Sequence, residues 1–261
     1  MKKTLTVILL VLIMLTGCKN NTCSFKDEAR LTKITYYSTD NKLLGSTSYS
    51  YDEEGRVIEM FTDDYHYEYS YDNDEAFCIL KQYNEEETTP YIINYFDEHD
   101  NPLKTYYRND ETGEYYLGYT YENIYDSANR LLKITATDSN GYVFIDTYEY
   151  IESDTYTVIN TNIMSDGTFL SRMISEYTDS SMNVKIFDEL YLNEEDNLDM
   201  HREYLHEFDD EGNIIKTVIS DTGTVIINTY KDGLLVSKEY EDHSMQYYEY
   251  VACGTAIKFS K

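Results

Sequence analysis

A short turn pattern recurs along the chain, and it constrains the fold more than any other feature of the sequence. Each copy has an aromatic residue, an aspartate, two variable residues, then a glycine, asparagine or aspartate, a polar residue and two mostly apolar residues. The four best copies begin at Tyr51, Phe96, Tyr125 and Phe208. The aspartate can accept hydrogen bonds within its own turn, and the residue three positions later tolerates positive φ. The pattern therefore predicts a repeated hairpin turn. The expected turn residues are Asp52, Gly55, Asp126, Asn129, Asp209 and Gly212.

The segments between these turns alternate as β-strands do. One side of a single extended segment carries four tyrosines, Tyr65, Tyr67, Tyr69 and Tyr71. The intervening positions are polar or charged, which is the period of two expected for a strand. Turn signals recur about every 9 to 15 residues from Asp40 onward, which is typical of an all-β meander. We therefore predict an all-β protein of tandem antiparallel β-hairpins that form a curled or open single sheet.

The repeated turn resembles the YD repeat of RHS-type proteins, whose tandem β-hairpins curl into a spiral sheet or shell. It is also similar to MORN-variant repeats, which occur in some bacterial antitoxin-type proteins, and these residues do not separate the two repeat types. The resemblance covers much of residues 36–240 and implies a curled sheet. The positions that match the YD motif are Tyr51, Asp52, Gly55, Arg56, Tyr125, Asp126, Arg130, Phe208, Asp209 and Gly212.

The beginning of the chain has the features of a bacterial secretory signal. Lys2 and Lys3 precede an apolar run at 4–16, which is shorter than the roughly 20 residues of a spanning helix. The run leads into Leu15-Thr16-Gly17-Cys18, which resembles the lipobox of bacterial lipoproteins. That resemblance implies cleavage before Cys18, lipid on its thiol, and a membrane-anchored protein on the extracytoplasmic side of a bacterial cell envelope. The predicted segments are a signal peptide at 1–17, a lipidated N-terminus and tether at 18–30, and a β-hairpin repeat domain at 31–261.

The chain is strongly acidic, with 49 acidic and 21 basic side chains and a formal charge of −28. Removal of residues 1–17 would delete two lysines and no acid, which changes the formal charge to −30. DNA and RNA binding depends on lysine and arginine contacts to phosphate, so nucleic acid is an unfavourable partner. The same field attracts cationic proteins. The 30 tyrosines indicate a folded chain, because disordered chains are poor in aromatic residues.

Three cysteines remain besides the lipidation candidate. Because three is an odd number, a complete disulfide framework is excluded. Cys23 and Cys253 lie near opposite ends of the mature chain, and a bridge between them is one open alternative. Cys78 follows a phenylalanine and precedes an isoleucine and a leucine, so it is predicted to be a buried small apolar residue.

No catalytic constellation is recognisable. The five histidines lack zinc-site spacing, and the sequence has no nucleophile elbow, P-loop or dinucleotide fingerprint. We therefore expect a protein that is not an enzyme and holds no metal or cofactor. The tyrosines have two interpretations: rows that face the core, or an exposed platform that stacks on a sugar or a protein partner. The candidate binding face consists of Tyr65, Tyr67, Tyr69, Tyr71, Tyr148 and Tyr150.

Three functional hypotheses follow from these expectations. The leading one is a cell-surface lipoprotein that acts as a non-enzymatic binding module for a glycan or for a protein, which would be cationic. The alternative is an immunity or antitoxin-type lipoprotein that intercepts a toxin at the membrane. The third is a structural part of a larger cell-surface assembly.

Overall fold

The computed structural model describes residues 29–73, 76–84, 87–192 and 198–252. Every regular element within these ranges is a β-strand, which confirms the all-β prediction. The lipidation candidate Cys18 and the cysteines Cys23 and Cys253 lie outside the described residues. The strands are β1 Ala29–Tyr37, β2 Leu43–Tyr51, β3 Val57–Phe61, β4 Tyr65–Asn73, β5 Ala76–Asn84, β6 Ile92–Phe96, β7 Pro102–Arg108, β8 Tyr115–Tyr125, β9 Leu131–Asp138, β10 Val143–Glu152, β11 Tyr156–Met164, β12 Phe169–Tyr177, β13 Lys185–Tyr191, β14 Leu198–Phe208, β15 Ile214–Ile219, β16 Val225–Lys231, β17 Leu234–Tyr240 and β18 Met245–Ala252.

The expectation of a curled or open single sheet is wrong. The 18 strands of the described residues belong to one sheet in which β2 to β9 and β10 to β18 pair in chain order. The further pairings are β1 with β2, β9 with β10, and β1 with β18. Hydrogen bonding therefore returns to the first strand, and in this topological sense the sheet is a closed antiparallel barrel. Closure pairs backbone groups that an open edge would leave free, and no local turn pattern specifies it.

The chain divides into two compact units. Unit 1 contains β3 to β7 together with residues 29–35, 45–51, 115–120 and 248–252. Unit 2 contains β9 to β17 together with residues 36–44, 121–125 and 245–247. No helix in the described part of the chain is long and apolar enough to span a membrane.

The repeated turn is the local device that ends one strand and begins the next. Gly55 and Gly212 have φ values of 89° and 85°, and Asn129 has a φ of 61°, so the predicted positive-φ positions are confirmed. In the turn after β14, the Asp209 carboxylate accepts the backbone N–H of Asn213 at 2.8 Å and its side-chain amide at 2.9 Å. The strand register shifts at the aromatic residue that precedes this aspartate. The turn after β14 therefore combines a carboxylate cap with a β-bulge.

The hydrophobic core of unit 1 lies on one side of β4, β5 and β6. Its buried residues are Tyr69, Cys78, Leu80 and Phe96. Cys78 is fully buried, as predicted, but it takes part in a disulfide bond, so its description as a simple small apolar residue is incomplete. Tyr69 belongs to this cluster, so the side of β4 that carries the tyrosine row faces the hydrophobic core at this position.

The interior of unit 2 contains a network of polar side chains around Asp188. Asp188 is 6% exposed and accepts hydrogen bonds from the hydroxyls of Ser175 and Tyr204 and from Lys185 Nζ. His206 Nε2 donates to the Lys185 carbonyl at 2.8 Å, and His206 Nδ1 shares a hydrogen bond with Thr217 Oγ1 at 2.9 Å. These partners satisfy the buried charge and ring nitrogens, which identifies the network as a structural one.

Candidate functional site

Strand β4 separates two surfaces of unit 1. The tyrosine face carries Tyr65, Tyr67, Tyr69 and Tyr71, and the histidine face carries His66, Glu68 and Ser70. The registers of β4 with β3 and β5 extend both faces, because a residue opposite a tyrosine lies on the tyrosine face. Gln82 is opposite Tyr67, whereas Glu59 is opposite Glu68.

Two tyrosines of the predicted binding face have a structural task. The Tyr71 hydroxyl donates to the Val57 carbonyl at 2.7 Å, and the Arg56 guanidinium lies 4.5 Å from the centre of the Tyr71 ring. In unit 2 the same arrangement recurs at Tyr150, whose hydroxyl donates to the Leu131 carbonyl at 2.7 Å. Its ring lies under the Arg130 guanidinium at 4.8 Å. These tyrosines therefore clasp the repeated turns to the strands beside them.

Burial removes a third tyrosine from an exposed face, and a fourth, in unit 2, is half-buried. Tyr69 is 9% exposed and packs in the hydrophobic cluster of unit 1. Tyr148 is half-buried, and burial raises the pKa of its phenol. The six predicted residues therefore do not form one exposed platform, and the part of the tyrosine face that remains open is at Tyr65 and Tyr67.

The open part of the tyrosine face is a cluster that we call the tyrosine cluster, defined by Tyr65, Tyr67, Tyr91 and Gln82. The Tyr65 ring centre lies 6.3 Å from that of Tyr67 and 6.3 Å from that of Tyr91. Tyr65 is 39% exposed, and the other two rings are half-buried. Gln82 lies beneath them at 3% exposure. The cluster thus combines accessible ring surface with a buried amide.

The amide of Gln82 is only partly satisfied. Its Nε2 donates to the Tyr67 hydroxyl at 3.3 Å, whereas its Oε1 is buried and has no hydrogen-bond partner. Burial is the main cause that raises the pKa of both Tyr67 and Tyr91, so their phenols stay protonated at neutral pH. A neutral group that combines apolar ring faces, hydroxyls and an amide carbonyl without a hydrogen-bond partner suits an uncharged, hydroxyl-rich ligand.

The histidine face holds the only three-residue group in the described part of the chain whose atoms could converge on a metal ion. One ligand atom each from Glu59, His66 and Glu68 lies within 4.8 Å of the others. The His66 ring is stacked on Phe61, with ring centres 4.2 Å apart and planes 3° from parallel. Glu68 Oε2 accepts the Tyr83 hydroxyl at 2.6 Å.

Sequence reasoning missed both groups because they depend on strand register. Gln82 meets Tyr67 only through the pairing of β4 with β5, and Glu59 meets Glu68 only through the pairing of β3 with β4. The alternation of β5 was a usable signal for Gln82, since it placed a polar residue among apolar ones on the core side. Nothing comparable marked Tyr91, which precedes β6.

The comparisons with known proteins give only distant similarities. No protein-family model and no curated protein matches the sequence. A porin-like protein from Bacteroides uniformis is similar at 11% identity with a TM-score of 0.43, over 84% of this chain and 96% of that chain. A TcdB2-TccC3-Cdc42 structure and the Tc holotoxin pore of Photorhabdus luminescens have identities of 15% and 14% and TM-scores of 0.25 and 0.22. Each of these two matches covers 76% of this chain and 13% of that chain.

Proposed function

We propose that this protein is a lipid-anchored, non-enzymatic binding module of a bacterial cell envelope that binds a neutral saccharide at the tyrosine cluster. The observation that carries the proposal is the pairing of exposed tyrosine rings with the buried Gln82 amide, whose carbonyl oxygen has no partner. A buried carbonyl without a hydrogen bond is costly, and a ligand hydroxyl could donate to it.

The ring surfaces supply the apolar part of the recognition. Tyr65 begins β4, Tyr91 immediately precedes β6, and Tyr65 exposes more than a third of its surface. Aromatic side chains dominate binding surfaces because they offer large contact area with few rotatable bonds. The apolar face of a sugar ring can pack on such a surface, and its hydroxyls would reach the Gln82 amide once the rings above it move aside.

A saccharide array tests the ligand class. Tyr65→Ala and Tyr91→Ala should each weaken binding of the saccharide that the array identifies by about 30-fold, which corresponds to about 2 kcal/mol for an aromatic contact of this kind. The matched control is Tyr142→Ala, which removes a tyrosine that is 60% exposed but belongs to a turn of unit 2. Equal affinities of all three variants would exclude the tyrosine cluster as the binding site.

The anchor is a separate part of the proposal and rests on the lipobox resemblance at Cys18. Two or more acyl chains hold a protein stably, because each buried methylene contributes about 0.8 kcal/mol. Metabolic labelling with a fatty-acid analogue should therefore mark the wild-type protein and leave Cys18→Ser unlabelled. Equal labelling of the two proteins would show that the anchor lies elsewhere.

A further inference from the structure

We propose that Glu59, His66 and Glu68 form a binding site for one divalent transition-metal ion of the zinc class. This site is on the histidine face of β4, opposite the tyrosine cluster, and does not depend on the proposed saccharide binding. Three observations support it: the convergence of three ligand atoms, a buried ring nitrogen without a partner, and two carboxylates held face to face.

Strand register creates the convergence. Glu59 of β3 is directly opposite Glu68 of β4, and His66 is two residues before Glu68 on the same face. Like charges directly opposite each other in an antiparallel pair are destabilising, and a cation between them reverses that effect. The two glutamates also border an open cavity of about 310 Å³, which gives an ion a route from solvent.

The buried ring nitrogen of His66 could bind a metal ion through its lone pair. His66 Nε2 is buried without a hydrogen bond, and the nearest carboxylate oxygen, Glu59 Oε1, lies 3.9 Å away. That separation is too long for a hydrogen bond. It is close to the distance between two ligands of one ion, which is about 3.4 Å in a tetrahedral zinc site with ligands about 2.1 Å from the metal. The three ligand atoms lie within 4.8 Å of one another, and small rotations of the glutamate side chains would bring them to this ligand–ligand distance.

The surroundings hold the ligands in place. Phe61 and Tyr83 stack on the His66 ring, with centre distances of 4.2 and 5.1 Å, and fix the plane in which Nε2 points. The Tyr83 hydroxyl donates to Glu68 Oε2, which leaves the other Glu68 oxygen available for an ion. Outer-shell hydrogen bonds of this kind orient the ligands of protein metal sites.

The ligand set selects the class of ion. One imidazole nitrogen and two carboxylate oxygens suit Zn²⁺ and its neighbours Co²⁺ and Ni²⁺. Ca²⁺ and Mg²⁺ prefer shells made of oxygen alone, and Ca²⁺ takes six to eight ligands. Three protein ligands would leave at least one coordination position to water.

Calorimetric titration with Zn²⁺ after chelator treatment of the purified protein tests the proposal. We expect one ion per chain in the wild type, with excess Ca²⁺ unable to displace it. His66→Phe keeps an aromatic ring in the stack and removes the nitrogen, and Glu59→Gln keeps the side-chain shape. Each should weaken Zn²⁺ binding by more than tenfold, since loss of even an outer-shell partner costs roughly 10- to 100-fold.

The matched control is His201→Phe in unit 2. His201 also lies between two glutamates, but Glu189 contacts Nδ1 at 3.1 Å and Glu203 contacts Nε2 at 3.3 Å. The two carboxylates therefore cannot share one ion with the same nitrogen, and this variant should bind Zn²⁺ like the wild type. Absorption of bound Co²⁺ in the visible range should be present in wild type and control and absent in His66→Phe.

Three results would overturn the proposal. They are the absence of Zn²⁺ binding by the wild type at millimolar concentration, unchanged Zn²⁺ affinity in His66→Phe, and loss of binding in His201→Phe. Circular dichroism of each variant establishes that its sheet is intact, so a loss of affinity reports on the ligands.

Discussion

Asp52 and Arg56 are joined twice across a single turn. Oδ1 of Asp52 accepts the backbone N–H of Arg56 at 2.7 Å, and Oδ2 accepts its Nε at the same distance. Asp126 and Arg130 repeat both contacts at 2.9 and 2.6 Å. In each case the arginine also covers a tyrosine ring. The aspartate and arginine of the repeat, together with Tyr71 and Tyr150 outside those two copies of the motif, are therefore explained as a clasp that holds turns and strands together, without any ligand.

The positive-φ glycines of these turns should be sensitive to substitution. Gly212 has a φ of 85°, and a Cβ added there would meet no atom within 4 Å, so the cost of a side chain comes from backbone strain alone. Gly212→Val and Gly55→Val should each lower the free energy of unfolding by more than about 1 kcal/mol. The measurement is urea denaturation, with Glu211→Val as the control in the same turn. Unchanged midpoints for both glycine variants would contradict the turn geometry.

The turn aspartates predict a loss of stability in acid. Backbone and side-chain donors of Arg130 hold the pKa of Asp126 below its usual range, and those of Asn213 do the same for Asp209. A carboxyl whose folded pKa is lowered stabilises the fold above its unfolded pKa of about 3.9, and the contribution is lost as pH falls through the lowered value. Asp146 opposes this trend, because burial raises its pKa.

Urea midpoints measured between pH 7 and pH 2 should therefore be constant at neutral pH and fall below about pH 4. The double variant Asp126→Asn, Asp209→Asn retains turn-forming side chains but cannot titrate at these positions. Its midpoint should depend less steeply on pH than that of the wild type. Identical pH dependence in the two proteins would show that these carboxylates do not contribute.

The charge of the chain predicts how a protein partner would associate. The formal charge of −30 that remains without residues 1–17 raises the association rate of a cationic protein and is screened by salt. We expect the association rate with such a partner to fall several-fold as salt rises from tens to hundreds of millimolar, while saccharide affinity stays almost constant. Stopped-flow and equilibrium binding in the same salt series compare the two. A salt-independent rate for a cationic protein would contradict the electrostatic expectation.

Local features of the fold were predictable from the sequence, and long-range ones were not. The aspartate and glycine of each turn act within five residues, so Asp209 and Gly212 could be placed correctly without knowledge of strand neighbours. The pairing of β1 with β18 joins segments more than 200 residues apart, and no local pattern encodes it.

The two candidate sites show the same division. Alternation correctly separated Tyr67 from His66, because side-chain direction in a strand is a local property. The meeting of Tyr67 with Gln82, and of Glu59 with Glu68, depends on register, and a shift of one residue would move each partner to the opposite face.

Gln82→Leu tests the central claim most directly. Leucine has a similar volume and should leave the surrounding rings in place, but it removes the carbonyl that a saccharide hydroxyl would use. A site built to hydrogen-bond its ligand loses affinity strongly when that bond cannot form. Calorimetry with the saccharide identified on the array should therefore show binding about tenfold or more weaker in Gln82→Leu, with a urea midpoint at least as high as that of the wild type. Wild-type affinity in this variant would contradict the account.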